Sequence, residues 1–160
     1  MKTRNERIFD VLQETKTNWN VNKLPLVAID SVTDYKFETE TYGLFRSDNG
    51  NWLGSVGNRY EVMPNQELAD IMVGIQDRFG GEILGGSLQG GKKIYYQMTL
   101  PKEFVGRDVI KRNITCLNSH DGTSSIGFGS TNVVVSCQNM FHRAMKDLAN
   151  SDTQCLLVRG

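Results

Sequence analysis

Gly81-Glu82-Ile83-Leu84-Gly85-Gly86-Ser87-Leu88-Gln89-Gly90-Gly91-Lys92-Lys93-Ile94-Tyr95-Tyr96-Gln97-Met98-Thr99-Leu100 is the stretch that decides the fold. In its second half Ile94, Tyr96, Met98 and Leu100 fall on one face, and Lys93, Tyr95, Gln97 and Thr99 on the other. A period of two is the mark of a strand. Gly90-Gly91 suits a two-residue primed turn, because glycine takes positive φ without steric cost. The stretch predicts a β-hairpin, 82–89 and 92–100, with an apolar face on the core and a polar, solvent-facing side carrying one aromatic ring.

Working upstream, Asn65 reads as the N-cap of a helix over 66–79, with Glu67 in its first turn. Leu68, Ile71, Met72, Ile75 and Phe79 form its apolar stripe, and Gly80-Gly81 ends it. Residues 35–46 alternate as a strand with a bulge near Gly43. Ser47-Asp48-Asn49-Gly50 is a turn, and 52–62 is the return strand. Residues 24–29 are extended before that, since the residue preceding Pro25 avoids helix. The chain opens on a short amphipathic helix, 3–15, with Ile8, Val11 and Leu12 at helical spacing and Phe9 widening the stripe.

Downstream, Pro101 closes the hairpin, 102–108 is a charged connection and 109–117 a strand. A polar loop (118–125), a long strand (126–137) and a helix (139–149) N-capped by Asn139 follow. The apolar tail Cys155-Leu156-Leu157-Val158 reads either as a docked final strand or as a cut-off extension after 150. The expected architecture is a single α+β domain over 1–160, mainly an antiparallel sheet of hairpins with inserted amphipathic helices. Residues 1–22 are an N-terminal helix and connection.

The totals agree with one small domain: 160 residues, 39% apolar, 18 basic and 18 acidic side chains. Charge balance argues against a protein held to nucleic acid by bulk charge, although a local basic patch remains open. Cys116, Cys137 and Cys155 are odd in number with no CxxC, and read as reduced, largely buried thiols of a cytoplasmic protein. His120 and His142 do not complete a zinc pattern, so neither metal nor cofactor is expected. No signal peptide and no membrane-length apolar run occurs, so no membrane partner is expected.

Leu53-Gly54-Ser55-Val56-Gly57-Asn58-Arg59-Tyr60 is glycine-rich but is not a P-loop and lacks the strand-to-helix setting. It reads as a twisted strand that could present Arg59 beside Tyr60. In Asn118-Ser119-His120-Asp121-Gly122, neighbouring Ser, His and Asp do not orient one another as a triad from separate segments does. His120 and Asp121 are expected instead to organise a loop through side-chain to backbone hydrogen bonds, with ligand contact as the functional alternative. No catalytic residue and no enzymatic activity is expected. The positive charges are uneven: between Lys92 and Arg112, the cations Lys92, Lys93, Lys102, Arg107, Lys111 and Arg112 stand against only Glu103 and Asp108. Lys92, Lys93, Tyr95, Gln97, Arg107, Lys111 and Arg112, with Arg59 from a neighbouring strand, are the candidate contacts for single-stranded nucleic acid. Cations would track phosphates and rings would stack bases.

Several segments occur in one order: Trp19-x-Val21, Phe45-Arg46-Ser47-Asp48, 53–65, Gly86-Ser87-Leu88-x-Gly90-Gly91-Lys92-Lys93, 118–122 and Val135-Ser136-Cys137-Gln138-Asn139. Together, over about 19–149, they resemble the phage/plasmid-like protein family, a large family of unknown function. The resemblance implies a role in mobile-element biology inside a bacterial host cell. It implies a further Arg- and His-containing segment after the last helix that is missing or shortened here. The expectation is a DNA-metabolism protein that binds single-stranded DNA, in annealing or recombination, free of cofactors and able to form a homo-oligomer. The alternative is a protein-binding module that disables a host defence system through a host protein.

Overall fold

The computed structural model describes residues 1–100, 112–123, 126–131 and 134–149, together with the backbone of 103–105, 108–110, 150 and 156–158. The helices are α1 (Arg4–Glu14), α2 (Asn65–Phe79) and α3 (Gln138–Asn150). The strands are β1 (Val21–Ile29), β2 (Lys36–Arg46), β3 (Trp52–Val56), β4 (Ile83–Leu88), β5 (Lys93–Thr99), β6 (Glu103–Val105), β7 (Asp108–Ile110), β8 (Asn113–Ser119), β9 (Ile126–Thr131) and β10 (Leu156–Val158). They form an α+β fold of antiparallel sheets: β1-β2-β3, β10-β9-β8-β5-β4, and the small pair β6-β7.

The five-stranded sheet is covered on both faces. Ile94, Tyr96 and Met98 of β5 are fully buried against Ile8, Val11 and Leu12 of α1 and Leu68, Ala69, Met72 and Val73 of α2. On the other side, Leu117 of β8 and Tyr95 of β5 pack against Phe141, Ala144 and Leu148 of α3. The period of two in β5 sorts its side chains as read from the sequence. The second face is not solvent-facing, however, because the apolar stripe of α3 lies on it.

Several boundaries differ from the sequence reading. The 52–62 strand ends at Val56: Tyr60 N–H turns back to the Gly57 carbonyl, and Lys23 Nζ donates to the carbonyls of Asn58 and Tyr60 (both 2.7 Å). The β4–β5 connection is longer than two residues. Leu88 pairs with Lys93 across one 3-10 turn in which Gly90 and Gly91 have φ of 70° and 107°. The charged connection after Pro101 contains the β6–β7 pair, the next strand runs 113–119 rather than 109–117, and β9 ends at Thr131. The register shift near Gly43 lies between Leu44 and Phe45.

On α1, Thr3 caps the helix through its hydroxyl and Phe9 is exposed rather than part of the buried stripe. On α2 the buried face is Leu68, Ala69, Met72 and Val73, while Ile71 and Phe79 point to solvent. Short Ala69 and Gly74 let α1 approach closely, and the pair is pinned by Arg4 to Asp70 (2.7 Å) and Arg7 to Asp77 (2.5 Å). Asn65 is not the cap. It is the first helical residue, Pro64 takes the cap position with extended backbone and no side-chain cap bond, and the Asn65 side chain turns inward. Asn139 likewise lies inside α3, which starts at Gln138 with Phe141 N–H donating to the Cys137 carbonyl (3.0 Å). Cys137 is exposed there, contrary to the buried reading, whereas burial pushes the Cys116 thiol up to about 12. Cys155 lies outside the described residues.

Candidate nucleic-acid interface and a buried polar cluster

The expected nucleic-acid contacts separate into two groups. Lys93 and Gln97 do not line a surface: they are 2% and 6% exposed. α3 and the chain before it close over them. Lys93 Nζ lies 5.7 Å from the Phe141 ring centroid, and Gln97 accepts from the Val135 N–H (2.8 Å) and donates to Thr115 Oγ1 (2.8 Å). Tyr95 is half-buried in the same packing. Arg107 and Lys111 lie outside the described residues. Arg59 and Arg112 are exposed, and Lys92 is half-buried at the surface.

Lys92 has an aromatic neighbour that the sequence reading does not single out. Its Nζ sits 5.5 Å from the ring centroid of Trp52, a residue 53% exposed at the start of β3. A second cation–ring pair adjoins it along the chain. Arg46 stacks on Trp19 (4.2 Å), donates to both carboxylate oxygens of Asp48 through Nε and Nη2 (2.9 and 2.7 Å) and donates from Nη1 to the Gly90 carbonyl (2.9 Å). Gly91 is required there, because a Cβ would stand 2.8 Å from the Trp19 ring. The turn before Lys92 is thus fixed by Trp19 and Arg46, and Lys92 is presented over an open indole.

Behind this surface the segments of the sequence motifs meet around 118–123. His120 is fully buried, edge-on to Trp19 at 5.7 Å, and its backbone N–H donates to the Lys92 carbonyl (2.7 Å). Asn65 Nδ2 donates to the Thr17 carbonyl (3.1 Å), which turns Oδ1 toward His120 Nε2 at 2.8 Å. Nε2 therefore carries the proton, and Nδ1 has no hydrogen-bond partner among the described residues. Burial pushes the imidazole down to about 4, against an opposing pull from the Asp121 charge. This is not the loop-organising role expected of His120; its bond runs to a helix 55 positions away.

Asp121 does organise its loop as expected. Its Oδ1 accepts from Thr123 N–H (3.0 Å) and Thr123 Oγ1 (2.5 Å), and it also bonds Ser119 Oγ. Lys93 Nζ completes the cluster at 3.2 Å from Asp121 Oδ2 and 2.6 Å from Thr123 Oγ1. Burial alone would raise the carboxyl, but the Ser119 and Thr123 hydrogen bonds and the Lys93 charge hold it down at about 2. Ser119 donates into the Asp121 carboxylate, which at about 2 is too weak a base to activate a hydroxyl, and its Oγ is 3.5 Å from Lys93 Nζ. Among the described residues no three His, Cys, Asp or Glu side chains group to hold a metal, and no helix is long and apolar enough to cross a membrane.

The two groups give an acid signature. His120 binds its proton more weakly folded than unfolded, so its contribution is complete above about 6.5 and lost as pH falls toward 4. Asp121 has a depressed carboxyl, so its contribution is complete above about 3.8 and lost as pH falls toward 2. The melting temperature is expected to fall in two stages on acidification. His120→Gln should remove the upper stage and leave the lower one, which thermal melts from pH 7 to pH 2 will read.

A model of the family described as Domain of unknown function (DUF932) matches residues 52–153, from β3 through α3 and just beyond it. No curated protein and no solved structure matches the chain.

Proposed function

Since the chain belongs to the DUF932 family, whose function is unknown, we propose its activity from its own surface: it binds single-stranded DNA at the Trp52–Lys92 platform. The observation that carries this reading is Lys92 Nζ held 5.5 Å from the centroid of a half-exposed indole. An open ring offers a stacking face to any base, and a cation beside it offers a phosphate contact, the combination that sequence-tolerant single-strand binding uses. Arg59 is an exposed cation available to extend the track, whereas Arg112, though exposed, is bonded to Leu100 at the far end of β5, about 25 Å along the strand from Lys92. The resemblance of the motifs to phage and plasmid proteins supports placing this activity in mobile-element DNA metabolism, as annealing or recombination in the bacterial cytoplasm.

Fluorescence anisotropy with a labelled oligothymidine across a salt series tests the reading. Trp52→Ala should weaken binding about 5- to 150-fold and leave the salt slope unchanged. Lys92→Ala and Arg59→Ala should each flatten the slope of log K against log salt by about 0.7. Absence of binding by the wild-type chain at low salt sinks the proposal. One observation favours the second reading, a module that binds a host protein: the outer half of the β1–β2 hairpin keeps its large apolar side chains in water.

A further inference from the structure

The β1–β2 hairpin beyond Tyr42 contributes to neither apolar core. Leu24, Val27, Ile29, Val32, Tyr35 and Phe37 are each between 46% and 90% exposed. The register places Val27 opposite Glu38 and Ile29 opposite Lys36, with Ala28 opposite Phe37, so apolar side chains lie on both faces. β2 pairs with β3 only from Tyr42 onward, so the outer edge of 36–41 is also without a strand among the described residues. An isolated two-stranded ribbon is marginal in water, and contiguous exposed apolar surface marks an interaction site.

The charge on this arm points to what covers it. Residues 24–42 contain Asp30, Asp34, Glu38 and Glu40 against Lys36 alone, a net charge of −3. The whole chain has 18 basic and 18 acidic side chains, so the rest of it carries +3. Acidic arms repel one another and are attracted to the basic remainder of another copy. Size limits how the arm is covered. Its paired part is about 20 Å long and about 10 Å wide, so one broad face offers about 200 Å², and the share of about 800 Å² that a stable interface takes from each partner is reached only when the partner encloses the arm on all its long sides.

We propose that the 24–42 hairpin is an assembly arm that docks head-to-tail on the basic body of a second copy of this chain. A contact of this kind is heterologous and repeats into a ring or an open chain. The arm lies apart from the Trp52–Lys92 platform, and its role does not depend on nucleic-acid binding there.

Sedimentation velocity of the full chain over a concentration series, at low and high salt, is the test. The wild-type chain should assemble as concentration rises, and less tightly at high salt. Ile29→Ser with Phe37→Ser, and separately Glu38→Lys with Glu40→Lys, should each raise the dissociation constant at least about tenfold. Both pairs lie outside the cores, so circular dichroism and melting should stay unchanged. A wild-type chain that is monomeric at every concentration overturns the proposal and leaves the arm to a different protein. Assembly that is equally tight in the variants, or equally tight at high salt, also overturns it. Oligothymidine titration of the same variants reads the nucleic-acid proposal separately.

Discussion

Lys93→Met is expected to destabilise the domain by about 3–5 kcal/mol, the cost of removing one partner of a buried ion pair. The Lys93 side chain is 3% exposed and that of Asp121 13%. Met keeps the length and apolar stem of lysine, so no large cavity opens beside Phe141. The losses include the charge opposite Asp121 and the bond to Thr123 Oγ1 (2.6 Å). Asp121 retains its bonds from Ser119 and Thr123, which places the expected loss at about 3 kcal/mol, the lower end of the range. Urea unfolding should show a lower midpoint with an unchanged slope. Lys93→Met with Asp121→Asn should recover part of the loss, because the buried charge goes with its partner. If Lys93 instead served nucleic acid, the same variant would keep its midpoint and flatten the salt dependence of binding.

Gly54→Ala is expected to cost about 3 kcal/mol, at the upper end for overpacking. A Cβ at Gly54 would stand 2.5 Å from the Asp121 carbonyl oxygen and 2.7 Å from its Cα. These are backbone atoms of the loop that Lys93 and His120 hold in place, so no side chain can rotate away. β3 would have to separate from 120–123, disturbing the Gly122–Val56 approach as well. Gly57 is the control, since a Cβ there would meet nothing within 4 Å and its φ is not positive. Gly57→Ala should be neutral or stabilise by up to about 1 kcal/mol through the unfolded chain. Equal melting temperatures for the two variants would show that the β3–loop contact is slack.

The alternation around Ile94, Tyr96 and Met98 tells the two faces of β5 apart, because it depends only on neighbours in sequence. It cannot tell that the Lys93 face is covered. That depends on α3, which begins more than 40 positions later, and polar side chains on a strand carry no mark of their burial. Lys93 and Gln97 read as surface residues for this reason. β8 reads as starting too early because Asp108–Ile110 belongs to the separate strand β7, and as ending too early because Asn118 and Ser119 look like loop residues. Both are buried in the strand, where Met63, Tyr60 and Asp121 supply their partners. Asn65 is legible as a residue at a helix start, but its inward bonds to Thr17 and His120 are not. The Trp52–Lys92 contact spans two hairpins, and the only hint of it in the sequence is a Trp standing before a glycine-rich strand.

The cluster around His120 also has a consequence for the order of folding. Its contacts close long stretches of chain: Asn65 with His120 across 55 positions, Tyr60 with Ser119 across 59, and Thr17 with Tyr96 across 79. Closing such loops costs entropy before any contact rewards it, so they slow folding relative to the local hairpins and helices. As the chain emerges from a ribosome, α1, the arm, β3 and α2 are made well before β8 brings His120 to them. Leu44, Leu53 and Trp19 have no complete core until then. The newly made N-terminal half is therefore the stage at which this protein is most exposed to aggregation and to holding by chaperones.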